Sequence, residues 1–333
     1  GETTPPSRND QIASGIGGSF LGEPLYRMAS LLLEKGNGTP GLLRELTAAV
    51  ISPPTGLNRL AFKDRFSAIL SSNNPVYYSR FAFALSATAQ DRNDTSADVK
   101  RGELLAEYAM DYGLPGKPGY HYERPFDYFS FQTTASTANG FENVLTRGLL
   151  LGTDYDVGER YRGIWGLYGS YDYISPQTFR ISSTALSLGT TGQLWLTKEI
   201  ALQGTALAGV GYAAVGTLNG PSDESAYHYG VAPQALLALR LIASDRLSLD
   251  LTAREYFVSG IAGGPTGGRD NIIRADIGLT WRVHKEHAVA VKYLWNRRDA
   301  TFADLGDRTQ TRATIGLYYT FLGHDRFGAV EWR

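Results

Sequence analysis

The residues with the most chemistry in their spacing are Glu103, Glu107 and Asp111, three carboxylates four apart, with Leu104, Ala106, Tyr108 and Met110 between them. Period-two alternation puts the acids on one face of an extended strand and the apolar set on the other. A second set, Arg240, Arg254, Arg274, Arg282, Lys292, Arg308 and Arg312, takes the corresponding face of later segments. An acidic wall opposite a largely basic one in a watery pore sets up a transverse field that orders polar solutes and disfavours apolar ones. The same groups have another use, ion pairing with Glu23, Arg27, Glu34, Arg44, Glu45, Arg59 and Asp64 of the N-terminal region, because buried charge needs partners. Both readings stand at this point.

Other chemistry is thin. The histidines at 121, 228, 284, 287 and 324 are scattered, and His284 with His287 reads as a solvated turn, so no metal site is expected. His228 with Ser225 is a nameable pair that no spacing selects. With no Gly-x-Ser-x-Gly elbow and no phosphate-binding loop, the chain reads as a non-enzyme without a cofactor, a lipid-modifying enzyme being kept as an alternative. The absence of Cys removes disulfides and thiolate metal sites, and a net charge of -1 argues against nucleic acid as a partner.

Holding so many charges on one face takes strands. No run of 18 apolar residues exists, so no membrane-spanning helix is expected, yet 20 Tyr, 14 Phe and 5 Trp are spread through the chain. A barrel hides its membrane face in every second residue and keeps the average polar. The clearest case sets Ile273, Ala275, Ile277, Leu279, Trp281 and Val283 against Arg274, Asp276, Gly278, Thr280 and Arg282. Segments of this kind are expected at 76–90, 99–112, 124–137, 142–155, 160–173, 178–197, 200–217, 227–243, 246–259, 270–284, 287–299 and 308–322. The expected fold is therefore an all-β, antiparallel transmembrane barrel of about 12 strands. Short turns such as Lys198-Glu199 and Ser244-Asp245 fall on one side and longer connections on the other, except for the long stretch from Gly113 to Glu123.

The last strand ends in Thr314-Ile315-Gly316-Leu317-Tyr318-Tyr319-Thr320-Phe321, in which Thr314, Gly316, Tyr319 and Phe321 fit the pattern that barrel-insertion machinery reads. Outer-membrane lipid and that machinery are the implied partners, and the bacterial outer membrane, with both termini periplasmic, is the implied location. Before the strands the period is 3.6: helices are expected from Asp10 to about Glu34, from Leu42 to Ile51 and from Leu57 to Leu70. Gly15, Gly18 and Gly22 would allow close approach to another wall, and Leu25, Met28, Ala29, Leu32 and Leu33 form an apolar stripe. Residues 1–74 are thus expected to be a helical plug or periplasmic cap, 75–323 the barrel and 324–333 a periplasmic C-terminal tail.

Four stretches carry a family resemblance: Pro5-Pro6-Ser7-Arg8-Asn9-Asp10, Gly15-Ile16-Gly17-Gly18, Leu21-Gly22-Glu23-Pro24-Leu25-Tyr26-Arg27 and Val50-Ile51-Ser52-Pro53-Pro54-Thr55-Gly56-Leu57-Asn58-Arg59-Leu60. They resemble a Gram-negative envelope family catalogued as domain of unknown function 3943, mainly over residues 1–66. The resemblance implies no activity; it implies that the helical region is an integral unit. A barrel of this size encloses a short helix but not a wide channel. The leading expectation is a plugged channel for a small polar or amphipathic solute. The alternative is an anchoring barrel that presents residues 9–66 to a periplasmic protein.

Overall fold

From Tyr77 onward each segment pairs antiparallel with its successor, and the last pairs back with the first. The strands of this computed structural model are β1 Tyr77–Arg92, β2 Asp98–Tyr112, β3 Phe129–Ser136, β4 Asn143–Val157, β5 Tyr161–Ile174, β6 Phe179–Trp195, β7 Ile200–Thr217, β8 His228–Ala243, β9 Leu247–Ser259, β10 Arg269–His284, β11 His287–Phe302 and β12 Gly306–Leu322. The structure describes residues 15–35, 40–62, 69, 71–92, 98–217, 228–260, 268–302 and 306–331. Closure runs from Arg80 opposite Leu322 to Arg92 opposite Gln310. Phe81, Phe83 and Leu85 on β1, Leu279 and Trp281 on β10 and Leu317 and Tyr319 on β12 are exposed, while Ala82, Thr280 and Tyr318 between them are buried. An apolar exterior on a ring without a strand edge is the form a hydrocarbon layer accepts, so this is a transmembrane barrel. No helix among the described residues is long and apolar enough to cross a membrane.

β3 departs most from expectation. It starts at Phe129 instead of residue 124 and pairs with only six residues of β4. The chain from 113 to 128 forms no strand. Asp127 folds it into a turn by accepting the backbone N–H groups of Glu123 and Arg124 at 3.0 and 2.7 Å.

The helices are α1 Gly18–Glu34, α2 Leu42–Ile51 and α3 Pro53–Ala61. α3 starts four residues before the expected Leu57, because two prolines suit the first turn of a helix, where no N–H is needed. The expected cap at Asp10 and the charged residue Asp64 lie outside the described residues.

α1 lies against the outside of the wall. The rung Met110, Phe131, Thr146, Tyr171, Thr184 is two residues along from Tyr108, which pairs with exposed Phe81, so its side chains point away from the lumen. Met28 packs with Met110, Tyr112, Phe129 and Phe131. Pro24 has no N–H to give the Phe20 carbonyl, and the Thr146 hydroxyl donates to that oxygen at 3.5 Å instead. Close approach falls at Gly17, where a Cβ would come within 2.6 Å of Thr184 Oγ1; at Gly15, Gly18 and Gly22, the expected positions, the space is open.

Arg27 locks the helix down. It donates to Glu23 at 2.9 Å, Asp127 at 2.7 Å and the Pro125 carbonyl at 2.7 Å. Burial alone would lower its pKa, but the hydrogen bonds and charges of Glu23 and Asp127 outweigh this and hold it above the ordinary value. Arg27→Ala should therefore loosen α1, with protease cleavage inside residues 18–62 about tenfold faster or more in detergent, given the cost of breaking a buried pair. Unchanged cleavage would mean that apolar packing alone holds the helix.

Candidate functional site: a charged chamber in the lumen

Side chains opposite the lipid-facing set fill the lumen in three layers. At the end away from the termini, Ile174, Phe179, Ile181, Val215, Val258 and Ile272 form an apolar layer. The middle is charged. At the end where β1 begins and β12 finishes, the C-terminal segment turns back inside the mouth.

In the middle layer the acidic and basic walls join hands. Lys292 pairs with Glu107, Glu107 with Arg80 at 3.3 Å, Arg80 with Asp250 at 3.6 Å, Asp250 with Arg240 at 2.7 Å and Arg240 with Asp111 at 2.9 Å. β2 and β8 stand six strands apart in either direction round the ring, so the bond between Asp111 and Arg240 crosses the whole lumen. Arg312 holds Glu103 at 3.0 Å and Glu142 at 2.9 Å, and Arg254 holds Asp172 at 2.9 Å. The expected transverse field is thus largely cancelled by contact: Glu103, Glu107 and Asp111 each have a cation against them. Such pairs fix the cross-section of the barrel more than they add net stability.

The remaining expected site residues divide. Arg274 is buried and donates to Asn296 at 3.2 Å. Arg308 is partly exposed on β12, opposite Ala300. Arg282 contacts His324 and Asp325 of the C-terminal segment. Of the residues expected to join helices to lumen charges, Glu23 and Arg27 pair with each other, Arg59 with Glu45 at 3.3 Å, and Arg44 donates to the Lys35 carbonyl at 3.0 Å. None of these contacts reaches the lumen, because the helices are on the other side of the wall. On β12, Tyr319 and Phe321 face outward and are exposed, Thr314 is buried in the lumen, and Gly316 leaves room for the Tyr318 ring, 2.7 Å from where its Cβ would be. Ser225 and the side chain of His228 lie outside the described residues.

Arg80, Arg147, Asp172, Asp250 and Glu142 were not anticipated. A signal existed for Arg80, which continues the inward series Ala82, Ala84, Ser86, and for Asp250, four residues before Arg254 on the same face.

The closing segment is held on several sides. Gln193 and Val330 exchange two hydrogen bonds, side-chain N–H to carbonyl at 2.7 Å and backbone N–H to side-chain oxygen at 2.8 Å. Trp195 also donates to the Val330 carbonyl at 3.1 Å, and Gln203 to that of Gly328 at 2.8 Å. Arg282 donates to the His324 carbonyl at 2.8 Å and sits 5.2 Å from the Phe327 ring centre. Phe327, Ala329 and Val330 pack with Tyr78, Leu114, Ile242 and Leu322. To fit, the backbone goes left-handed at Arg326, Phe327 and Gly328, with φ of 48°, 51° and 82°. Two of the three pay for side chains there. Gly328 is also pressed against Tyr78, whose Cβ lies 2.6 Å from where a Gly328 Cβ would be.

Between these layers is a chamber of about 90 Å³ lined by Arg80, Asp111, Arg147, Arg240, Asp250, Arg254 and Asp276 among polar neighbours. Leu114, Pro115 and Tyr128, from the segment after β2 and its approach to β3, border it on one side.

Residues 1–54 match a family described as a domain of unknown function, DUF3943. No curated protein matches the chain. Among solved structures, the P. putida toluene transporter TodX is 10% identical, with a TM-score of 0.28 over 83% of this chain and 93% of TodX. The KdgM porin is 9% identical, with a TM-score of 0.29 over 72% of this chain and 99% of the porin. The NanC porin is 7% identical, with a TM-score of 0.28 over 70% and 98%.

Proposed function

We propose that the chain is a gated outer-membrane channel for a small polar solute, with its terminal end in the periplasm and its C-terminal segment as the detachable closure. The observation that carries this reading is the seating of Phe327 and Val330 inside the mouth, beneath a chamber lined with charge. A barrel wall cannot be withdrawn, whereas a segment docked within the mouth can. Orientation is supported by the connections: those between β6 and β7, β8 and β9 and β10 and β11 are short and lie at the terminal end, as periplasmic turns do. The apolar layer at the far end is a second barrier of the kind that opens by wetting.

Opening a continuous path accordingly takes two changes. A chain ending at Gly323 that also carries Ile181→Ser and Val258→Ser is expected to pass steady current in planar bilayers, while the unaltered chain is closed and each change alone leaves one barrier standing. Heat-dependent migration in gels checks that the barrel is folded. Silence from the folded, doubly altered chain would sink the channel reading.

An anchoring role is the second reading, and it has its own support. α2 and α3 leave Leu43, Leu46, Val50, Leu57 and Leu60 exposed. A periplasmic protein that co-purifies with the full chain but not with one lacking residues 9–66 would favour it.

A further inference from the structure

Of the lumen cations, Arg147 stands apart. It projects inward from β4, between rungs shared with Ser130 and Ser170, and is 9% exposed. Among the described residues it makes no hydrogen bond or ion pair, and its Nε is buried without a partner. Arg80, Arg240, Arg254, Lys292 and Arg312 each have a carboxylate within 4.0 Å. A buried guanidinium N–H is costly to leave without an acceptor.

Arg147 borders both the chamber and a smaller cavity of about 20 Å³, and Arg254 borders the same two spaces. Arg254 spends Nη1 on Asp172, and its own Nε is buried without a partner. The chamber lining carries Arg80, Arg147, Arg240 and Arg254 with Asp111, Asp250 and Asp276, and just outside it Asp172 holds Arg254 and Glu107 holds Arg80. Asp111 is already taken by Arg240 at 2.9 Å, and Asp250 by Arg240 and Arg80.

We propose that the chamber binds a small oxyanion, a short carboxylate or inorganic phosphate, on Arg147, with Arg254 beside it. An anion supplies the acceptor that Arg147 lacks, and two oxygens on one centre match the fork of a guanidinium. The volume of about 90 Å³ has room for a small anion together with water. This rests on reading the lumen as a solute pathway and names the class of solute.

The test measures binding and needs no transport. The full chain is refolded from urea into detergent in the presence of acetate or phosphate, at constant ionic strength set with a bulky anion, so that the closed mouth does not bar entry. A saturable rise in the thermal unfolding midpoint is expected. Arg147→Gln should weaken the apparent affinity about tenfold or more, the effect of losing charge-assisted bonds. Arg147→Lys, which keeps the charge and loses the fork, should fall between. Arg297→Gln, an exposed arginine of β11 paired with Asp299 at 2.8 Å, should leave the affinity unchanged. No saturable rise in the unaltered chain, or an equal rise in Arg147→Gln, overturns the proposal. Should Arg147→Gln not fold, the Lys variant decides: affinity equal to that of the unaltered chain counts against a bidentate site. Anion binding by a chain whose opened form carries no current would refute the channel and keep the site.

Discussion

A cysteine at Ala238 is expected to react with a water-soluble, membrane-impermeant maleimide at least about 100-fold faster in a chain ending at Gly323 than in the full chain, since burying Phe327 alone is worth roughly 3 kcal/mol. Ala238 lines the chamber, and the sequence contains no cysteine, so the reporter is the sole thiol. The chamber is lined by Leu114, Pro115, Gln193 and Gln203, and the last two are hydrogen-bonded to the C-terminal segment. Removing the segment takes away Phe327, Ala329 and Val330 together and leaves Gln193 and Gln203 facing water. Gly328→Val should act in the same direction, because a side chain there meets both a left-handed backbone and Tyr78. Equal labelling rates in full and truncated chains would show that water already reaches the chamber past the segment, and the closure would be no closure.

The second large effect is on stability. Arg240 bridges Asp250 and Asp111 across the full width of the barrel, and its guanidinium also lies 4.7 Å from the centre of the Tyr78 ring. Arg240→Ala leaves two half-buried carboxylates short of a partner and should cost up to about 3 kcal/mol in urea unfolding from detergent micelles. Adding Asp111→Asn to the same chain should restore part of that loss, because an amide tolerates the site without a cation. A cost below about 1 kcal/mol would place the pair in water instead, where ion pairs contribute little.

How far the sequence reveals this molecule depends on the kind of order involved. Strand periodicity is local, so Arg274, Asp276 and Thr280 against Ile277, Leu279 and Trp281 can be assigned to faces without knowing any neighbour. Twelve strands follow from that. Which cation meets which acid is not local: Glu103 finds Arg312, and Asp111 finds Arg240, only after the stagger of the closed ring is set. The short β3 was hard to see because aromatic residues at 126, 128 and 129 continue the look of a strand where the chain in fact turns about Asp127.

The placement of the helices had a signal that went unused. An apolar stripe of Leu25, Met28 and Leu33 suits the apolar outer wall, not a lumen lined with arginine and aspartate. Burial on one face was legible; the surface it faces was not, since the stripe says only that water is excluded. The C-terminal segment was missed for a similar reason. Phe327, Ala329 and Val330 are few and close together, too short a run to show a period, and their binding surface is assembled from β1, β6, β7 and β10.

That composite surface dictates a chronology. Tyr78, Gln193, Gln203 and Arg282 come together only when β12 has met β1, and the segment that they grip follows β12 in the chain. It therefore has nowhere to dock until the ring is complete. Each newly made molecule passes through a moment when its mouth is unsealed, and the residues that seal it also report that every strand is in place. A barrel with one strand out of register would stay leaky at that end.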